Sequence, residues 1–196
     1  MLIDYENLES PSIYKLMSQT VIPRPIAWIV TEADGIVNIA PFSYFTPLSS
    51  TPPAVVVSIG HKADGEPKDT LHNITTTKKA VICFVDEDKL EKMHFSSKPL
   101  PKLTSEAKEF DIKTKKVYDD FPPMIEDVQS AFFCEFNQKV DLGGPTIPVI
   151  LNIKHQYVDD KNVTNPQRLT IDINNIARVG RSYAKMGESL DTPSMP

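Results

Sequence analysis

The 196-residue chain carries 21 Lys and Arg against 26 Asp and Glu, a net charge of −5, which excludes the concentrated basic face of a general nucleic-acid binder. Hydrophobic residues at 40% and charged residues at 24% are an ordinary globular mix, and the length fits one domain. No apolar run approaches the ~20 residues of a membrane helix, and the N-terminus lacks a basic region followed by an apolar one. A cytoplasmic protein with no membrane partner is therefore expected.

Residues 1–19 read as an arm or short helix, with Tyr14, Leu16, Met17 and then Val21 as its apolar positions. Pro23 and Pro25 impose extended geometry on their neighbours. Residues 26–31 form an apolar strand, and Asp34-Gly35 closes it as a hairpin onto 36–40. Residues 41–50 continue as an irregular extended segment, stopped by Pro52-Pro53. Residues 54–59, with consecutive valines at 55, 56 and 57, predict a strand buried on both faces. A polar loop over 61–67, tipped by Asp64-Gly65, leads to a helix over 69–77 that Asp69 or Thr70 can cap.

Residues 80–85 are a further strand, 86–95 a helix on Leu90 and Met93, and 105–110 a short helix. A long hairpin follows, 131–142 and 146–158, turned by Gly143-Gly144-Pro145. A short helix is expected over 171–176 and a polar tail over 177–196, in which Arg178, Gly180, Arg181 and Tyr183 stand out. Six or seven strands with one helical excursion argue an antiparallel barrel with peripheral helices rather than a doubly wound sheet. Cys83 and Cys134 lie in apolar strand-like runs and read as buried free thiols.

The chemistry-bearing residues are distinctive mainly by elimination. The four histidines, His61, His72, His94 and His155, lie in unrelated contexts, and no serine sits in G-x-S-x-G. No His/Cys pair has zinc spacing, and no glycine-rich phosphate loop occurs. Ser43, Thr46, Ser49, Ser50, Thr51 and Ser58, by contrast, cluster within sixteen positions. Turn chemistry is the plain explanation of such a cluster. Lys68-Asp69-Thr70 adds a cation and a hydroxyl at a helix N-terminus, where free N–H groups favour an anion, and Arg24 is a second cation. Alternation over 41–46 would set Phe42 and Tyr44 on one face, Ser43 and Phe45 on the other.

The segments RPIAWIVTEADGIVNIAPFSYFTPLSSTPPAVVVSIG, KDTLHNI and IARVGRSYA together resemble the flavin reductase-like, FMN-binding split-barrel proteins. The resemblance spans residues 20–184, leaving 185–196 as a tail. It implies a mainly β fold, a six-stranded antiparallel Greek-key barrel with peripheral helices, and a homodimer with FMN near the interface. It implies that Ser43, Phe45 and Thr46 face the flavin ring, with backbone N–H groups bonding its edge. Ser49, Ser50, Ser58, Ile59 and Gly60 belong to the ribityl and phosphate side, and Lys68, Asp69 and Thr70 close over the phosphate. Arg24 matches a position near the flavin, as do Arg178 and Tyr183 at the C-terminal end. The implied activity is an NAD(P)H-dependent flavin reductase, using NADH or NADPH and passing electrons to a flavin-dependent monooxygenase or redox protein. The same motifs fit a non-catalytic FMN carrier similar to flavoredoxins. One departure is at the end of the last long strand, where relatives carry a histidine before the acidic pair. Here Tyr157 stands closer to that place, with His155 two residues earlier.

Overall fold

The computed structural model describes residues 1–101 and 103–193. In chain order the main strands are β1 (Arg24–Pro25), β2 (Ala27–Ala33), β3 (Ile36–Phe42), β4 (Phe45–Ser50), β5 (Pro53–Gly60) and β6 (Lys79–Cys83). The short pair β7 (Thr114–Lys115) and β8 (Met124–Ile125) follows, then β9 (Ser130–Lys139) and β10 (Thr146–Val158). The chain ends in β11 (Val163–Asn165), β12 (Thr170–Ile171), β13 (Ile176–Val179) and β14 (Ser182–Lys185). Helices are α1 (Ser10–Thr20), α2 (Asp69–Thr77), α3 (Leu90–Phe95) and α4 (Glu106–Glu109).

Seven strands make one antiparallel sheet in the order β3-β2-β6-β9-β10-β5-β4. Its two edge strands, β3 and β4, are joined only by Ser43 and Tyr44. Three Cα–Cα steps reach at most about 11 Å, so the two edges must meet at that corner. The sheet is therefore curled into a barrel that is split there. The expectation of a mainly β split barrel with helices around it holds, with seven hydrogen-bonded strands where the resemblance implied six.

The two faces of the sheet are packed differently. Alternate residues from all seven strands, among them Ala27, Ile29, Phe42, Phe45, Val55, Val57, Ile59, Ile82, Cys134, Val149 and Leu151, fill the barrel. Leu71 and Ile74 of α2 join that core. The opposite face of β2, β6 and β9, with Trp28, Val30, Val81, Cys83 and Phe133, is covered by the excursion between β6 and β9 (residues 86–128), through Met93 of α3 and residues such as Ile112, Phe121 and Met124. That explains the unbroken apolar run of β2, which is buried on both sides. Strand β5 is not: Val55, Val57 and Ile59 point inward, while Val56 and Ser58 stay partly exposed on a stretch of outer face the excursion does not cover. The two-sided burial expected for 54–59 thus belongs to β2.

The β2–β3 turn is as the sequence predicts, with Asp34 at φ 52° and Gly35 at φ 74°, the left-handed pair of a type I′ hairpin. The segment 41–50, expected to be irregular and extended, ends β3 at Phe42 and forms β4 from Phe45 on, with a bulge in its pairing to β5 between Pro47 and Ser49. Alternation breaks at the Ser43–Tyr44 link, so Phe42 and Phe45 share the interior while Ser43 and Tyr44 turn outward. Helix α2 covers the residues the sequence predicts, but Lys68 occupies the cap position and no side chain caps it. Asp69 is instead paired to Lys62 at 2.8 Å, and Thr70 is buried in a polar contact with the sheet. No helix forms over 171–176: Thr170–Ile171 pairs with Val163–Asn165, and the polar run after it is coil. The polar tail contains a hairpin, β13–β14, with Gly180 at φ 54° in the first position of its two-residue turn. Both cysteines are buried and free; burial pushes the Cys83 thiol up to about 12 and that of Cys134 higher still, so both are inert.

Candidate functional site: two cavities at the split corner

Where the barrel edges meet, the uncovered outer face of β5 forms one wall of a cavity of about 390 Å3. Val56 and Ser58 supply that wall, Ser43, Tyr44, Phe45 and Thr46 the floor, and Met17, Val21, Pro23, Arg24 and Pro25 the opposite side. The size and the largely apolar lining with a few polar groups suit a small-molecule site. Strand β4 is a sheet edge, so its outward backbone N–H and C=O groups have no strand partner among the described residues.

Arg24 is the centre of the far wall. It is 4% exposed, and its two Nη atoms donate to the carbonyl oxygens of Ser18, at 2.6 Å, and Gly180, at 3.3 Å. The Gly180 N–H also donates to Ser18 O at 3.1 Å. One side chain thereby clasps the end of α1 to the β13–β14 turn and fixes where Met17 and Val21 stand. Its guanidinium lies 5.6 Å from the Tyr44 ring, which in turn stacks on Tyr14 at 5.8 Å and 16°. Two polar atoms here are buried without a partner, Arg24 Nε and the Tyr44 hydroxyl. Burial, with a smaller contribution from the neighbouring Tyr14, pushes the Tyr44 phenol upward, keeping it a neutral donor. An unpaired buried donor costs about 1–3 kcal/mol, so two of them on one cavity call for an acceptor-bearing ligand.

A second, smaller cavity of about 180 Å3 adjoins the first, sharing Ser43. It is bordered by Phe42, Tyr14, His94, Arg178 and Tyr183. His94 rides on α3, which is anchored by buried Met93 and by the Trp28 indole N–H donating to Ser96 Oγ at 2.9 Å. His94 Nδ1 and the Tyr183 hydroxyl are 2.9 Å apart. Arg178 and Tyr183 are directly opposed across the β13–β14 hairpin, and the guanidinium lies 4.4 Å from the ring.

Of the residues singled out in the sequence, Arg24, Ser43, Phe45, Thr46 and Ser58 therefore line the larger cavity, and Ser43, Arg178 and Tyr183 the smaller. The Ile59 side chain is in the core, leaving only its backbone available, and Gly60 follows it at the end of β5. Lys68 is exposed with Nζ 5.8 Å from the Phe42 ring, and it lines neither cavity. Thr70 accepts from Asn38 Nδ2 at 3.0 Å. No side chain caps α2, so the N–H groups of its first turn have no side-chain acceptor. Ser49 and Ser50 are not in this corner. They pair with Ala54 and Pro53 at the far end of β4, roughly 15 Å along the strand from Phe45. The antiparallel pairing that carries Ser58 and Gly60 toward Lys68 carries Ser49 and Ser50 away from it.

Sequence reasoning missed Tyr44, Met17, Val21, Val56 and His94, all of them apolar, aromatic or isolated residues. His155 stacks on Tyr118 at 4.3 Å and Tyr157 sits under Lys115 at 4.8 Å, so both are engaged on the outer face and line neither cavity.

The fit of a flavin rests on these features: an apolar slot against an edge strand, two buried donors lacking acceptors, and an uncapped helix N-terminus near a lysine. Comparison with known proteins bears on the same point. The chain is 30% identical to the uncharacterized protein BH2278 of Halalkalibacterium halodurans, covering all of this chain and 98% of that one. Its fold is similar to nitrilotriacetate monooxygenase component B from Bacillus cereus, with a TM-score of 0.91, 25% identity and 98% of each chain covered. It is also similar to 2-nitrobenzoate 2-nitroreductase from Pseudomonas fluorescens, with a TM-score of 0.89, 24% identity, and 100% and 96% of the two chains covered. Residues 17–172 match the flavin reductase like domain, and the chain belongs to that family.

Proposed function

We propose that this protein binds FMN in the corner cavity and is an NAD(P)H-dependent flavin reductase. The observation that carries the reading is the pair of unpartnered buried donors, Arg24 Nε and Tyr44 OH, on an apolar cavity floored by an edge strand. A bound flavin would supply hydride acceptance and electron transfer, chemistry that needs no protein acid or base at the transfer step. The chain's own part is to bind, orient and shield. Backbone groups along Ser43–Thr46 would meet the polar edge of the ring, with Phe45 holding the strand by its burial in the core. Ser58 and the backbone of Ile59 and Gly60 would lead toward the phosphate. Lys68, Thr70 and the open first turn of α2 would hold that phosphate, with Asp69 kept neutralised by Lys62.

The likeness to a monooxygenase component supports a role delivering reduced flavin to a separate monooxygenase or redox protein. The test is direct. Purified protein incubated with FMN and desalted should show a flavin visible spectrum, and anaerobic addition of NADH or NADPH should bleach it. A protein that holds FMN but is not reduced by either nucleotide would be a flavoredoxin-like carrier. One that never retains or turns over flavin would sink the proposal.

A further inference from the structure

The geometry points to a second anion site in this corner, built around Arg178 in the smaller cavity with Arg24 behind it in the ladder, that grips the oxyanion of the second reactant rather than the flavin. This rests on the flavin reading above.

Arg24 and Arg178 are directly opposed in the β1–β13 ladder. Opposed residues of an antiparallel pair share a face, and like charges there are destabilising. Neither guanidinium has a carboxylate partner among the described residues: Arg24 meets two backbone carbonyls, and Arg178 makes no side-chain hydrogen bond or ion pair. Each is instead set near a tyrosine ring, Tyr44 and Tyr183, at 5.6 Å and 4.4 Å. A buried cation with Nε unpaired, opposed to a second unpaired cation, is an arrangement an anion would stabilise.

That anion is distinct from the flavin phosphate on spatial grounds. The uncapped first turn of α2 and Lys68, to which the flavin phosphate is assigned above, line neither cavity. The Arg178 cleft, at about 180 Å3, is too small for a tricyclic ring, yet it shares Ser43 with the larger cavity as a lining residue. A reactant anchored there by a phosphate or carboxylate would extend its reacting part toward the flavin. His94, held through the Tyr183 hydroxyl, adds a further donor at the rim. The shared chemistry is an oxyanion on a planar reactant. Its source is a phosphate of the nicotinamide dinucleotide or the carboxylate of an aromatic acid.

The experiment uses FMN-loaded protein. Inorganic pyrophosphate and benzoate are titrated separately by calorimetry into wild type, Arg178→Gln and Arg178→Lys, and the affinities of FMN and riboflavin are measured for each. Wild type is expected to bind at least one anion, Arg178→Gln to lose roughly tenfold or more of that affinity, and Arg178→Lys to recover part of it. FMN and riboflavin affinities should stay within about twofold in all three, which also shows that the variants are folded. Pyrophosphate binding identifies the dinucleotide as the source, benzoate binding an aromatic acid. Absence of binding by both anions overturns the proposal while leaving the flavin reading intact. So does an Arg178→Gln protein that loses FMN affinity but keeps riboflavin affinity, because Arg178 would then hold the flavin phosphate. Anion binding by a protein that takes up no flavin keeps the anion site and removes the flavin reading instead.

Discussion

Arg24 shows how one residue can serve the scaffold and the site together. Its Nη atoms close α1 onto the C-terminal hairpin through the Ser18 and Gly180 carbonyls, and its Nε is left facing unmet demand. Arg24→Ala is expected to lower stability by about 1.5–3 kcal/mol in denaturant unfolding, the worth of charge-assisted bonds to buried carbonyls. Lys68 makes the opposite case. It is exposed, so Lys68→Ala should leave the unfolding midpoint in place while weakening FMN by about 1.5–3 kcal/mol in a fluorescence titration. Unchanged FMN affinity would remove Lys68 from the site. Glu106 belongs to this scale too. Buried at 7% exposure, its carboxylate accepts the Ile39 N–H at 2.9 Å, and desolvation raises its pKa despite that bond. An acid whose folded pKa is raised binds more protons folded than unfolded. Its contribution is therefore most favourable below the ordinary Glu value of about 4.3 and is lost as pH climbs through the raised folded value. Glu106→Gln keeps an acceptor for Ile39 and should flatten that part of the stability–pH curve, read by urea unfolding at a series of pH values.

At the scale of elements, the site is positioned by how α2 and the edge strands are seated. Asn38 Nδ2 donates to Thr31 Oγ1 at 3.2 Å and to Thr70 Oγ1 at 3.0 Å, and Asn73 Nδ2 reaches the same Thr31 oxygen at 3.1 Å. This buried network ties the first turn of α2 to β2 and β3, while Leu71 and Ile74 bury the helix's apolar face in the barrel. Asn38→Ala would leave two hydroxyl acceptors with fewer donors and is expected to cost about 2 kcal/mol in unfolding free energy. Because it loosens the same helix end that would hold the phosphate, FMN should weaken more than riboflavin; equal weakening of both would place the phosphate elsewhere. Asn73 is 7% exposed, its side chain held inside this network.

For the whole molecule, the split in the barrel decides where ligand can enter, and the exposed apolar residues around it bear on assembly. Val21 is 59% exposed, Ile22 46% and Met17 40%, at the mouth of the larger cavity, and β4 runs exposed beyond Phe45. An apolar rim on a site mouth and an uncovered strand edge fit coverage by a second copy of the chain. A homodimer is accordingly expected in sedimentation equilibrium. Val21→Glu should shift it toward monomer, and FMN affinity should fall with dilution as the mouth is uncovered. A monomeric wild type that binds FMN equally well at all concentrations would reject that assembly.

How much of this was legible in the sequence follows from the range over which each signal acts. The β2–β3 hairpin, the extent of α2 and the long strand 146–158 were readable because turn chemistry and hydrophobic period are local. The hydroxyl cluster was visible as composition, but composition alone could not tell the near end of β4 from the far one. Only the antiparallel pairing of β4 with β5 brings Ser58 and Gly60 to the corner and sends Ser49 and Ser50 away from it. The facing of Arg24 and Arg178, 154 positions apart, is likewise a product of tertiary register. Nothing local marked Val56 and Tyr44 as cavity walls, since an apolar residue in a strand looks alike whether the face it occupies is covered or open. That distinction is made by the 86–128 excursion, which covers one stretch of the outer sheet and leaves the next bare. Residue type and period thus determined which segments become strands and helices and which chemical groups were on offer. The closure of the sheet on itself decided which of those groups meet, because contact across a barrel depends on register between distant strands rather than on spacing along the chain.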